Sequence, residues 1–105
     1  MELENFGERV AKLRIAKDVS AREMSLSIGQ CENYINKIEN GKAFPTMAAF
    51  YNICDYLKIS KSDFFDEDNN YPAQVNDFVT DYKRLDNKVQ SHMAEIAKEL
   101  IRNKK

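Results

Sequence analysis

Four side chains in one short stretch, Glu32, Asn33, Asn36 and Lys37, carry hydrogen-bonding chemistry on a single outer face. A carboxylate accepts, two carboxamides both donate and accept, and an ammonium donates. Such a set recognises a surface; it does not break bonds. The groups that bond-breaking needs are absent. The one histidine, His92, sits between Ser91 and Met93 with no Cys or His near enough in sequence to complete a metal site. Cys31 and Cys54 lie far apart and form no CxxC, which argues against zinc and against a disulfide framework, and fits a reducing compartment. The acidic run Asp66-Glu67-Asp68 has no glycine-punctuated calcium loop and reads as a linker. There is no phosphate-cradling glycine loop and no nucleophile–base pairing. The chain therefore reads as a non-enzyme with no cofactor, no metal and no small-molecule ligand.

The elements that must position the four side chains lie between Ser20 and Gly41, SAREMSLSIGQCENYINKIENG. Ser20 suits an N-cap, and Glu23 three residues on makes a capping box. Met24 and Ile28 repeat at helical spacing. Gly29 is the natural stop, able to take positive φ where the first helix ends. A second helix then holds Tyr34, Ile35 and Ile38 inside and the four polar residues outside. Gly41 closes it as a C′ glycine. Helix, glycine turn and helix with a polar outer face form the helix-turn-helix pattern, whose second helix can enter the major groove of DNA.

On either side the period of 3.6 persists. The spacing predicts a helix from Asn5 to Lys17, with Asn5 and Glu8 as a second capping box and Phe6, Val10 and Leu13 inward. Arg9, Lys12 and Lys17 are expected in solvent. After a loop containing Pro45, Thr46 should cap a helix from Met47 to Leu57, with Met47, Phe50, Ile53, Cys54 and Leu57 on its apolar stripe. Ser60 or Ser62 should cap a short helix ending near Phe65. Tyr34, Tyr51, Tyr56, Phe64 and Phe65 fall at core or near-core spacings. Pro72 suits the first turn of a new helix, and Asp86 could cap a further one, so 72–102 reads as one helix or two. Arg102, Lys104 and Lys105 would complement the negative end. No strand-like alternation occurs, and the fold class is all-α.

With 105 residues the prior is one domain with an appendage. No apolar run approaches the ~20 residues of a membrane span, and the acidic start, MELENF, has no signal-peptide core. A cytoplasmic location is expected. The formal net charge is −1, although phosphate neutralisation favours basic domains. Any attraction to DNA must therefore come from local clustering of charge.

The span Phe6 to Phe65 resembles the repressor/Cro-type, XRE-like helix-turn-helix family. FGERVAKLR, S-x-x-E-M-S-x-x-I-G, YINKIENGK, P-T-x-x-x-F-x-x-I-C-x-Y-L and S-x-x-x-F-F follow one another in the family's order. The resemblance implies a five-helix domain that binds double-stranded DNA as a homodimer, most often as a repressor. It implies base reading at Glu32, Asn33, Asn36 and Lys37, for which the chemistry is apt: a carboxylate accepts from cytosine, Asn pairs with adenine and Lys donates to guanine. It implies phosphate contacts at Ser20, Asn40, Lys42 and Thr46, and a structural ion pair between Arg14 and Glu39. Cys31 stands where relatives open the second helix with Ser or Thr, and reads as a weak cap; a redox-reactive thiol is the alternative. Ala21 replaces a common phosphate-binding Gln, Ser25 a small Ala, and Lys58 a Gly. Glu32 puts negative charge at the leading tip of the reading helix.

The expected organisation is a reading domain over 1–66, an acidic linker over 67–71 and a dimerisation segment over 72–105. Within that segment Val75, Phe78, Tyr82, Leu85, Val89, Met93, Ile96 and Leu100 approximate a heptad spacing. The rival expectation is a protein-interaction module, an antirepressor or antitoxin-like partner, that kept the fold. Glu32, Ala21 and the near-neutral charge favour that rival.

Overall fold

The computed structural model describes residues 2–104 as seven helices, with no strand among them. They are α1 (Leu3–Ala16), α2 (Ala21–Ser27), α3 (Tyr34–Glu39), α4 (Met47–Leu57), α5 (Lys61–Phe65), α6 (Pro72–Lys83) and α7 (Asn87–Asn103). The chain divides into two compact units, Met1–Ala73 and Gln74–Lys105. Lys105, read above as a helix-end charge, lies outside the described residues.

Local chemistry sets most helix ends. Ser20, Thr46, Ser60 and Asp86 each accept a backbone N–H three residues on, from Glu23, Ala49, Asp63 and Val89. Ser60 and Asp63 make a full reciprocal box. At Ser20 the contact runs from the Glu23 N–H to the hydroxyl. Three helices end in the same way. Gly29 and Gly41 take φ of +80° and +72°, and Lys58, which carries a Cβ, takes +59°. At each, paired bonds close the last turn: Gln30 N–H to Ser25 C=O, Lys42 to Lys37, and Ile59 to Cys54. A Cβ in that region is unfavourable, so Lys58 accepts strain to stop α4.

Two expectations about α1 are corrected. It starts at Leu3, with Glu2 at its N-cap and no side-chain cap, so Asn5 and Glu8 lie inside the helix and do not box its start. The Phe6 N–H already bonds the Glu2 carbonyl at 2.9 Å, which removes the end that Asn5 would have capped. Arg9, expected in solvent, is 3% exposed. Its Nε donates to Phe64 C=O at 2.6 Å, and Nη2 donates to Asp63 and Asp66 C=O at 2.8 Å each. A cation thus meets three carbonyls at and just past the end of α5, the place where helix geometry favours positive charge.

The core of the first unit joins Phe6, Val10 and Leu13 to Met24, Ile35, Ile38, Phe50, Ile53, Cys54, Leu57, Ile59 and Phe64. Phe64 is its hub, with ring centroids 4.9 Å from Phe6 and 5.1 Å from Phe50. The Cys54 thiol is fully buried, and burial pushes its pKa up to about 11, so it is a neutral packing group. Met47, Tyr51 and Phe65, placed in or near the core by spacing, are 69%, 50% and 49% exposed. Met47 is at the first turn of α4, where its side chain stays exposed. With Phe44, Pro45 and Phe65 it rims a shallow apolar groove over Phe6 and Phe50. Tyr51 instead carries the Lys61 ammonium 4.2 Å above its ring.

The second unit holds most of α6 and all of α7, separated by a break at Arg84–Asp86, so the segment is two helices. Gln90 fastens the break: its Nε2 donates to Tyr82 C=O at 2.8 Å and Leu85 C=O at 3.1 Å, and the Tyr82 hydroxyl donates back to Gln90 C=O. No residue of α7 is buried.

Helices α1 and α3 approach closely at Gly7. A Cβ on Gly7 would collide with the carbonyl oxygens of Ile38 and Glu39, the latter 2.8 Å away. Both obstacles are backbone, so neither can swing aside. Gly7→Ala should cost about 2–3 kcal/mol through overpacking and lower the melting temperature by roughly 10 °C or more. Thermal unfolding followed by circular dichroism checks this, and an unchanged melting temperature would contradict the close approach.

Candidate nucleic-acid interface

Helix α3 is only six residues long, and its placement is decided by its neighbours. Ile35 and Ile38 are buried against the core, and Tyr34 packs at its edge, where partial burial raises the phenol pKa. Asn33 occupies the N-cap without a side-chain cap bond. The cap comes from another helix. The fully buried Ser25 on α2 accepts the Ile35 N–H on its Oγ at 2.9 Å and donates its proton to Ala21 C=O at 2.8 Å. The hydroxyl thus satisfies an orphan donor of α3 and fixes the start of that helix on α2. An alanine there could not do this.

The far end of α3 is fixed to α1. Arg14 and Glu39 meet fork to fork, Nε to Oε2 at 2.7 Å and Nη2 to Oε1 at 3.0 Å. Arg14 Nη1 also donates to Val19 C=O at 2.8 Å, so the same guanidinium holds the link into α2. The pair is largely shielded from solvent. The bond to Glu39 raises the Arg14 pKa further above its ordinary value.

With α3 held at both ends, the exposed side chains of its outer face fall into place. Asn33, Asn36, Lys37 and Asn40 are all exposed and stand at i, i+3, i+4 and i+7, one stripe over the helix and its two caps. Asn40 Nδ2 donates to Asn36 Oδ1 at 3.3 Å, and the Cys31 thiol donates to Asn33 Oδ1 at 3.2 Å. Each carboxamide keeps groups for a partner. The helix starts later than the sequence suggests. Glu32 and Asn33 lie in the turn before it and not on the helix itself. Glu32 is engaged: Arg22 Nε on α2 donates to its Oε2 at 3.1 Å.

The remaining predicted contact positions are also exposed. Ser20 and Thr46 are exposed N-caps whose hydroxyls accept a backbone N–H, which leaves each O–H to donate outward. Lys42 is exposed just past the end of α3. Among the described residues no cluster of three or more His, Cys, Asp or Glu could hold a metal, and no helix is long and apolar enough to cross a membrane. Sequence reasoning missed Arg9, Ser25 and Arg22, because each acts on an element distant in the chain.

Two helices set across a glycine turn, with a polar stripe on the second, define a helix-turn-helix domain, the class found in DNA-binding regulators. The family model described as a helix-turn-helix domain matches residues 7–69, more than half of the chain. The chain therefore belongs to that family, of the repressor/Cro, XRE-like type. No curated protein and no solved structure matches it significantly.

The Ser25 link yields a direct expectation. Ser25→Ala should destabilise the domain by about 1–2 kcal/mol, the cost of a lost cap with a buried donor left unpaired. Urea unfolding measures it. Amide exchange at Ile35 should also rise; unchanged exchange there would show that the hydroxyl does not hold the helix.

Proposed function

We propose that the protein is a sequence-specific DNA-binding transcriptional regulator, a cytoplasmic repressor that acts as a homodimer on a palindromic operator. The observation that carries this reading is the stripe Asn33, Asn36, Lys37 and Asn40 on a helix held at both ends by buried polar links. A rigid helix with a row of donors and acceptors suits the major groove, where each base pair presents a distinct pattern. Asn33, Asn36 and Lys37 read bases, with Glu32 at the leading edge. Ser20, Asn40, Lys42 and Thr46 bind phosphates and set the register. The mechanism is occupancy: a bound dimer blocks polymerase.

Dimerisation through residues 72–105 is supported by the side chains of α6 and α7. Val75, Phe78, Val79, Leu85, Val89, Ile96, Leu100 and Ile101 are 38–71% exposed. Apolar rows at helical spacing on otherwise charged helices suit a second copy, which would present two reading helices to two half-sites.

A second reading draws on the first unit. The groove lined by Phe44, Pro45, Met47 and Phe65 could seat an apolar segment of a protein partner, as an antirepressor or antitoxin-like module would require.

Fluorescence anisotropy with a fragment from upstream of its own gene and a scrambled control, across salt concentrations, separates the readings. Wild type should favour the upstream fragment, with affinity falling steeply as salt rises. Asn33→Ala with Lys37→Ala should lose roughly 10- to 1,000-fold, as expected for two base contacts of about 1–3 kcal/mol each with incomplete additivity. No binding to either probe at low salt would remove the regulator reading and favour the protein-interaction module. Ile96→Glu with Leu100→Glu should convert a sedimenting dimer to monomer; an unaltered sedimentation coefficient would place the dimer interface elsewhere.

A further inference from the structure

The ion pair between Arg22 on α2 and Glu32 in the turn before α3 has no role in holding the fold. Its side chains are 68% and 67% exposed, and a single contact of 3.1 Å joins them. Exposed pairs of this kind contribute about 0–1 kcal/mol, less when salt screens them. Arg14–Glu39, by contrast, is shielded and bidentate. The Arg22–Glu32 pair also stands where a carboxylate is least welcome, at the edge of a stripe of groups suited to DNA.

The geometry of the contact is one-sided. Arg22 uses only Nε, and its Nη1 and Nη2 have no partner among the described residues. A guanidinium presents five donors in a planar fork, so one edge can be held while another binds a second anion bidentately. Glu32 is likewise held through one oxygen only, Oε2.

We propose that Arg22 is a phosphate-binding residue of the DNA interface and that Glu32 is its positioning residue. The carboxylate holds the Nε edge and turns the Nη edge outward to a backbone phosphate beside the reading helix. The arginine in turn neutralises a carboxylate that would otherwise repel the same phosphate. This accounts for a negative charge at the leading edge of α3. The inference rests on the DNA-binding reading and adds a residue and a coupling to it.

The test is a double-mutant cycle on wild type, Arg22→Ala, Glu32→Gln and Arg22→Ala/Glu32→Gln. Each binds a mixed-sequence 24-base-pair duplex, followed by anisotropy from low to moderate KCl. Arg22→Ala should weaken binding several-fold at low salt and make the salt slope shallower by about one, the mark of one lost phosphate contact. The double variant should bind more tightly than Arg22→Ala alone, because the unpaired carboxylate is gone. All four should melt within about 2 °C of one another, as an exposed pair predicts. If wild type binds the duplex and Arg22→Ala matches its affinity and slope, the inference falls and the DNA reading stands. Strictly additive losses also overturn it, since Glu32 would then not act through Arg22. No binding by wild type at low salt removes both.

Discussion

The structure depends on how closely α3 can be brought to α1. Gly7 permits contact with the backbone carbonyls of Ile38 and Glu39, and no other residue leaves that space. Beside it, Arg14 and Glu39 fix the end of α3 with charge-assisted bonds of 2.7 and 3.0 Å. A six-residue helix has little stability of its own. Its order comes from outside: a bare α1 backbone on one side, the buried Ser25 hydroxyl at its start, and Ile35 and Ile38 in the core. What the helix displays therefore depends on what lies beneath it.

The first unit uses buried polar groups sparingly, and each joins distant parts of the chain. Arg9 ties α1 to the end of α5, more than fifty residues on. Ser25 ties α2 to α3, and Arg14 ties α1 both to α3 and to the link before α2. A buried group of this kind is costly unless its partners are in place, so each link also opposes misplacement of the helix it holds. Between these links the phenylalanine cluster supplies apolar burial without direction. The polar links fix position, and the aromatic rings fill space.

Charge is arranged differently on the outer face. A chain with 16 basic and 17 acidic residues has no general attraction for a polyanion. The exposed stripe on α3 is instead rich in carboxamides, with Lys37 and Lys42 near its end and a neutralised Arg22–Glu32 pair at its start.

The sequence by itself determined whatever is settled within one turn of helix. The caps at Ser20, Thr46, Ser60 and Asp86 were legible because donor and acceptor lie three residues apart. The glycine stops at Gly29 and Gly41 were legible because few other residues take positive φ. The apolar period marked the core, and the ordered motifs carried the family likeness. Only the tertiary structure decided what depends on non-local partners. Asn5 and Glu8 have the letters of a capping box, yet the helix begins before them. Arg9 looks like a surface residue until α5 brings its carbonyls to it, and Met47 fits the stripe but stays exposed at the rim of a groove. The start of α3 was misplaced for the same reason: its cap is a serine ten residues upstream on another helix, and no local rule can see it. Local hydrogen-bond geometry and periodicity are written in the order of residues. Which side chain meets which distant carbonyl is fixed only when the helices pack.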